Sequence, residues 1–325
     1  MMFHTKEIKD KSFLITGGAG FIGSNLVDYL IMNGARKVRV LDNMSNGFMV
    51  NVEPYLSLPV YEFIDGDITD MQTCVKALEG IDMVSHQAAL GSVPRSIAHP
   101  DLTHASNVNG FLNMLIAARD AGVKRFVYAS SSSVYGDITD SPKLEHRTGR
   151  LLSPYSVSKM TNELYAGVFS LNYGMKIIGL RYFNVYGQRQ DPSGPYAAVI
   201  PLFMDAVLNN KEAWINGDGE QTRDFTHVSN AVQANVRAMF TDNAEAFGRV
   251  YNVAVGESIT VNQLFDEVAA IAGKEMKPYH RADRPGDVRS SLADISLARK
   301  YLGYEPQVRI REGLQQTYEW FKSTY

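Results

Sequence analysis

A short apolar run, Ser12-Phe-Leu-Ile-Thr16, opens directly into Gly17-Gly18-Ala19-Gly20-Phe21-Ile22-Gly23. Ser24 to Asn33 follows, with apolar residues at helical spacing and a stop at Gly34. A buried strand, a glycine turn and a helix in this order leave few folds open. Glycines at 17, 20 and 23 let the backbone turn sharply and come close to a pyrophosphate, whose charge then meets the helix N-terminus. The next strand, Lys37-Val-Arg-Val-Leu41, ends at Asp42. A carboxylate there is placed to accept hydrogen bonds from adenosine ribose hydroxyls and repels a 2′-phosphate. Asn43-Met44-Ser45 supplies no arginine to hold such a phosphate. The expected cofactor is therefore NAD rather than NADP.

Further strands are expected at Val60–Asp65, Met83–His86, Arg125–Ala129 and Met175–Leu180. Helices are expected near Met71–Leu78, Leu102–Ala121 and Tyr155–Leu171. Such alternation predicts an α/β fold with a doubly wound parallel (Rossmann) sheet covered on both faces. After about Tyr186 the alternation breaks. A helix at Ala197–Leu208 and a hairpin-like segment around Trp214–Glu220 are expected first. A strand at Val250–Ala254, a helix at Val261–Ala272 and a C-terminal helix at Ile310–Phe321 follow. Residues 1–186 read as the nucleotide-binding domain. Residues 187–325 read as a smaller C-terminal, substrate-binding lobe whose segments interleave with the first domain.

Composition narrows the class of partner. A net charge of −3 gives no reason to expect nucleic acid or an anionic membrane surface. No stretch reaches the roughly 18 apolar residues of a membrane span. The N-terminal Met-Met-Phe-His-Thr-Lys-Glu lacks a long apolar core. The single cysteine, Cys74, cannot form an intrachain disulfide and reads as a small buried side chain on a helix. These features predict a cytoplasmic protein, and no metal is expected.

Tyr155 and Lys159 stand four residues apart, on one face of the expected helix. An ammonium beside a phenol favours phenolate, which makes Tyr155 a candidate proton acceptor near neutral pH. With 17 tyrosines in the chain, this spacing alone is weak evidence. Its force comes from the glycine turn and from the serine run Ser130-Ser-Ser-Ser133 upstream.

Taken together, five segments resemble the extended short-chain dehydrogenase/reductases, and among them the UDP-sugar 4-epimerases. They are Thr16–Gly23, His86–Arg95, Ser130–Gly136 with Tyr155 and Lys159, Arg181–Gly187, and the stretch 284–294. The similarity is greatest to enzymes of UDP-N-acetylglucosamine and UDP-N-acetylgalactosamine. It implies that Tyr155 is the base for the sugar 4-hydroxyl and that Lys159 holds the nicotinamide ribose. Ser131 is the best match to the serine that shares the hydroxyl hydrogen bond, with Ser132 the next. Gly17, Gly20, Phe21, Ile22, Gly23, Asp42 and Asn43 would contact NAD, together with Asp67, Ile68, Ala88 and Ala89. Ser92, Ser131, Ser133, Tyr155 and Asn184 would face the substrate. Arg223 and Arg284 would clamp the diphosphate, Val199, Trp214 and Ile215 would lie near the uridine, and Ser291 would gate the sugar pocket. The implied partners are a UDP-sugar and a second copy of the chain, paired through the helices Leu102–Ala121 and Tyr155–Leu171.

Alternatives stay open at this point. A 4,6-dehydratase of the same scaffold carries an Asp-Glu pair beside its serine or threonine, where this chain has Ser132-Ser133. A UDP-glucose or UDP-glucuronate 4-epimerase is a second rival, and Arg95 could meet a glucuronate carboxylate. A non-catalytic NAD-binding regulator is a third, although such proteins commonly lose the tyrosine or the lysine that this chain keeps.

Overall fold

The computed structural model describes residues 2–4, 6–193, 197–282 and 289–325. Its centre is a 7-stranded parallel sheet. The strands are β1 (Ser12–Thr16), β2 (Lys37–Asp42), β3 (Tyr61–Asp65), β4 (Met83–His86), β5 (Arg125–Ser131), β6 (Ile177–Tyr182) and β7 (Arg249–Val253). They lie in the order β3-β2-β1-β4-β5-β6-β7, the doubly wound arrangement expected from the alternation. Every residue of β1, β4 and β6 is buried, as a strand covered on both faces requires. The order reverses between β1 and β4, and such a switch point opens a crevice at the carboxyl ends of the strands.

On one face, the helix Phe21–Met32 packs against the helix Val228–Phe240, with Leu26, Leu30, Val236 and Phe240 in a common core. On the other face lie Met71–Leu78, Phe111–Asp120 and Pro154–Tyr173, joined by Leu78, Phe111, Met114 and Phe169. Cys74 belongs to this second core; its thiol donates to the Ile68 carbonyl, and burial pushes its pKa up to about 12. A third apolar cluster, including Phe203, Phe265, Leu314 and Phe321, gathers segments that follow β6.

Several expectations need revision. The strand around Val250 is part of the main sheet, paired with β6 from Arg249 to Val253. Trp214–Asn216 does not fold back as a hairpin; it pairs in parallel with Tyr279–Arg281. The chain leaves it through Gly217 and Gly219, both at positive φ, and enters the short strand Thr222–Arg223. That strand is flanked by Ile259–Thr260 and Ser290–Ser291. The helix expected over Leu102–Ala121 is interrupted by a π-helical turn at Ala105–Gly110. A Cβ on Gly110 would fall 2.5 Å from Ile68, so the close helix-to-loop approach there depends on glycine. Among the described residues no helix is long and apolar enough to cross a membrane.

Candidate functional site

Three cavities meet along the carboxyl ends of the strands. The first, about 450 Å³, lies over the switch point. Gly17, Gly20, Phe21, Ile22 and Gly23 form its floor. Gly17 has φ +69°, and a Cβ there would stand 2.7 Å from the Ala88 nitrogen. A Cβ on Gly23 would stand 2.1 Å from the Gly17 carbonyl oxygen. The chain therefore passes closer to itself than any side chain allows, leaving backbone N–H groups and a helix N-terminus bare toward the cavity. Asp42, Asn43, Ile68, Ala88 and Ala89 also line the cavity. Asp42 accepts from the Ala19 and Met44 nitrogens at 2.9 Å each. Burial raises its pKa, and these two donors pull it back. Each oxygen keeps a lone pair for a ribose hydroxyl. This cradle fits NAD.

Asp67 does not line the cavity. Its carboxylate is taken up by Thr69 and by the Asn43 amide at 2.7 Å, so it supports Asn43 from behind. Arg95 reaches Asn46 on the cavity rim at 3.0 Å.

The second cavity, about 380 Å³, shares Ser131, Tyr155, Tyr182 and Asn184 with the first. Tyr155 opens the helix Pro154–Tyr173, whose start is fixed by a Ser153/Ser156 capping box and by proline at the first helical position. Its phenol is raised by burial, and the Ser131 hydroxyl pulls it down. Lys159 sits one turn on and donates to the Ala129 carbonyl at 2.8 Å, 5.9 Å from the Tyr155 ring centroid. Burial depresses Lys159 to about 8, and Glu163, a further turn along, supports its charge. In the free protein burial and the Ser131 hydroxyl thus oppose each other at the phenol, and the Lys159 ammonium stands one turn away.

The four serines divide their work. Ser130 donates to Glu163 at 2.5 Å, and Glu163 holds Arg181 through two bonds of 2.9 and 2.7 Å. Ser131 faces Tyr155. Ser132 and Ser133 line the second cavity, with Ser291 and Lys143 in the same wall. Ser92 instead caps the helix Val93–Ala98, accepting from the Arg95 nitrogen, and only its neighbours Gly91 and Val93 line the cavity.

The third cavity, about 290 Å³, is lined by Val199, Trp214, Ile215 and Arg223. Asn184 borders all three cavities, and Arg223 borders the second and third. Asn184 holds a left-handed φ of 36°, and its amide donates to the Asp224 carbonyl at 2.8 Å. Arg284 lies outside the described residues.

Sequence reasoning missed Tyr182, Gln87 and Lys143. Tyr182 is fixed by Asn235 at 2.7 Å and by Gln87 at 3.1 Å; Gln87 and Ser85 both donate to the Asn235 side-chain oxygen at 3.0 Å. Tyr182 and Gln87 did lie inside segments that carried the resemblance, and Lys143 had no such signal.

Residues 13–254 match the family described as the NAD dependent epimerase/dehydratase family. A UDP-N-acetylglucosamine 4-epimerase from Methanobrevibacter ruminantium, solved with UDP-N-acetylmuramic acid, is 39% identical with a TM-score of 0.92, covering 98% of this chain and 100% of that one. The UDP-glucose 4-epimerase of Mycolicibacterium smegmatis is 36% identical, over 95% of this chain and 98% of the relative. The UDP-glucuronate 4-epimerase of Thermodesulfobacterium geofontis is 32% identical, over 95% and 96%. With its glycine cradle, switch-point crevice and Tyr155/Lys159 pair, the chain belongs to the NAD-dependent epimerase/dehydratase family of extended short-chain dehydrogenase/reductases.

Proposed function

We propose that this protein is a UDP-sugar 4-epimerase that inverts C4 through a transient 4-keto sugar, with UDP-N-acetylglucosamine and UDP-N-acetylgalactosamine as its preferred pair. The observation that carries the reading is the wall shared by the first two cavities. Tyr155 and Ser131 stand on it, so one phenol borders both cavities. NAD, held by the glycine turn and Asp42, would supply the hydride chemistry at C4. Tyr155 receives the 4-hydroxyl proton and gives it back, with Ser131 holding the shared hydrogen bond. Lys159 supplies a fixed positive charge beside the phenol and a donor to the nicotinamide ribose. Arg223 (with Arg284, by resemblance) clamps the diphosphate through paired donors. Val199, Trp214 and Ile215 receive the uridine, which keeps the nucleotide anchored while the keto sugar turns.

Ser132 and Ser133 carry no ionisable proton at neutral pH, so the acid/base pair that dehydration across C5 and C6 requires is missing from that wall. Arg95 is engaged at Asn46 and is not among the residues lining the sugar cavity, so it lends no support to a glucuronate carboxylate there. The small Ser291 leaves room for an acetamido group. Exposed Val157, Leu164, Val168 and Leu171 make an apolar stripe on the Tyr155 helix, which supports a homodimer paired through that face. A lone cysteine kept as a free thiol fits a cytoplasmic setting.

The test is to incubate the purified protein with UDP-N-acetylglucosamine and no added reductant. Formation of UDP-N-acetylgalactosamine is the expected outcome. A keto-deoxy product would reassign the chain as a dehydratase, and the absence of any product with either N-acetylated or plain UDP-hexoses would support the regulator.

A further inference from the structure

One buried carboxylate joins the helix of Tyr155 to the strand ends that serve it. Ser130 on β5 and Arg181 on β6 are direct neighbours in the sheet. Both bind Glu163 of the helix Pro154–Tyr173. The Ser130 hydroxyl donates at 2.5 Å, and Arg181 donates at 2.9 and 2.7 Å. The Arg181 and Glu163 side chains are only 4% and 8% exposed. Arg181 also donates to the Glu145 carbonyl at 2.9 Å, and its guanidinium lies over the Tyr135 ring. Glu163 is not among the residues lining the three cavities. Packing alone does not call for such a pair, since apolar side chains of similar volume often replace a buried ion pair without loss of stability.

What the pair does reach is the support of Tyr155 and Lys159. Ser130 stands between Ala129, whose carbonyl accepts from Lys159 at 2.8 Å, and Ser131, whose hydroxyl bonds the Tyr155 phenol. Fixing Ser130 therefore fixes both neighbours. Glu163 also lies one turn beyond Lys159 and opposes the effect of burial on its ammonium. Of the other ionisable groups at this place, His86 on β4 is held neutral by burial and by Lys159. Tyr128 on β5 is pushed well up by burial, with Glu163 adding to it. Tyr135 is pushed up to about 12 by burial, with Arg181 opposing. The helices packed on Pro154–Tyr173 bring Arg95, Asp101, His104 and Arg119. Arg95 bonds Asn46, Arg119 pairs with Asp120, and Asp101 and His104 are exposed.

We infer that Glu163 is a positioning residue of the site: braced by Arg181, it holds the strand end at Ser130, and with it the partners of Lys159 and Tyr155, and it keeps Lys159 charged. The inference rests on the epimerase reading for the roles of Tyr155 and Lys159, and deepens it with a residue that acts only through them. Replacing Glu163 by glutamine removes the negative charge one turn from Lys159, so the ammonium gives up its proton at a lower pH. It also leaves Arg181 as an unpaired buried cation, which threatens the fold. A double substitution, Glu163→Gln with Arg181→Met, removes both charges and separates the two effects.

The experiment follows two readouts over one pH series: kcat and KM for UDP-N-acetylglucosamine, and the NAD dissociation constant by fluorescence titration. Wild type, Glu163→Gln and the double variant are compared, with thermal midpoints for each. Lys159 titrates at about 8 in the free protein, so wild-type NAD affinity should fall as the pH rises through that value. In both variants the fall should begin at a lower pH. Their kcat should drop about tenfold more at the alkaline end of the series than at the neutral end, with KM changing less than kcat. The double variant should recover thermal stability and still keep the displaced profile. A double variant with the wild-type pH profile of NAD binding would make the pair a structural brace and overturn the inference. So would a loss in both variants that is equal at every pH. If wild type does not epimerise UDP-N-acetylglucosamine or any UDP-hexose, the epimerase reading fails, and the pH dependence of NAD binding still decides the role of Glu163.

Discussion

Ser291→Tyr tests the sugar pocket where its walls are least able to yield. Ser291 is 7% exposed and lines the cavity that also holds Tyr155 and Ser131. Its backbone cannot retreat: its carbonyl accepts from the Asp224 nitrogen at 2.9 Å, and the Arg289 carbonyl two residues earlier accepts from the Thr222 nitrogen at 2.9 Å. A phenol ring at this position must therefore enter the cavity, which measures about 380 Å³. Overpacking a preformed site costs about 1–3 kcal/mol, or roughly fivefold to 150-fold in kcat/KM. The penalty falls on substrates whose acetamido group needs that volume. The expected outcome is a selective loss for UDP-N-acetylglucosamine and UDP-N-acetylgalactosamine, with UDP-glucose and UDP-galactose largely spared. Initial rates on all four substrates, with circular dichroism to check folding, make the assay. Equal loss on both classes would indicate general damage, and no loss would place the gate elsewhere. Ser290→Tyr is the register control, because Ser290 lines the same cavity and its hydroxyl bonds to Thr222 at 3.2 Å.

Tyr155→Phe keeps the ring and removes the proton acceptor; turnover should fall on the order of a hundredfold while bound NAD is retained, and near-normal epimerisation would exclude Tyr155 as the base. Asp42→Ala should weaken NAD binding and relax discrimination against NADP, read by fluorescence titration with both cofactors. Tighter NADP binding by wild type would overturn the ribose argument and point to Arg95 on the rim. Burial holds His86 neutral down to about pH 3 and His227 down to about 4, whereas both protonate near 6.5 once unfolded. Between those values the unfolded chain binds the extra protons, so stability should drop as pH falls below about 6.5, by up to about 1.4 kcal/mol per pH unit for each histidine. Urea midpoints at a series of pH values check this, and a slope unchanged by His86→Asn would remove His86 from the account.

What could be read from the sequence was what depends on local order. The glycine turn, Asp42 and the Tyr155/Lys159 pair all lie within or beside one element, and all line the first cavity. The helix Val228–Phe240 was missed for a physical reason. It carries Asn230, Gln233 and Asn235, which look like surface residues but are buried. Asn230 bonds the backbone of Gln307 and Val308, Gln233 bonds that of Glu305, and Asn235 bonds Tyr182. Their partners are tens of residues away in the chain, so no window of sequence contains the reason for their burial. Lys143 was invisible on the same ground, since the segment that pins it begins at Leu292.

The substrate side of the site is built differently from the cofactor side. Asn184, Arg223 and Ser291 come from three distant segments, yet they line one cavity. Asp224, next to Arg223 and fully buried, fixes their arrangement. Its carboxylate accepts from the nitrogens of Val255 and Gly256 at 3.0 Å each and from Ala293 at 3.4 Å. Its backbone carbonyl takes the Asn184 amide, and its nitrogen donates to Ser291. One residue thus connects the end of β7, the strand of Ser291, the strand of Arg223 and the turn after β6. The walls of the second and third cavities are therefore parts of one buried network that is anchored to the nucleotide-binding sheet. A change in sugar preference needs new side chains in that network, because its backbone has no independent freedom to adapt.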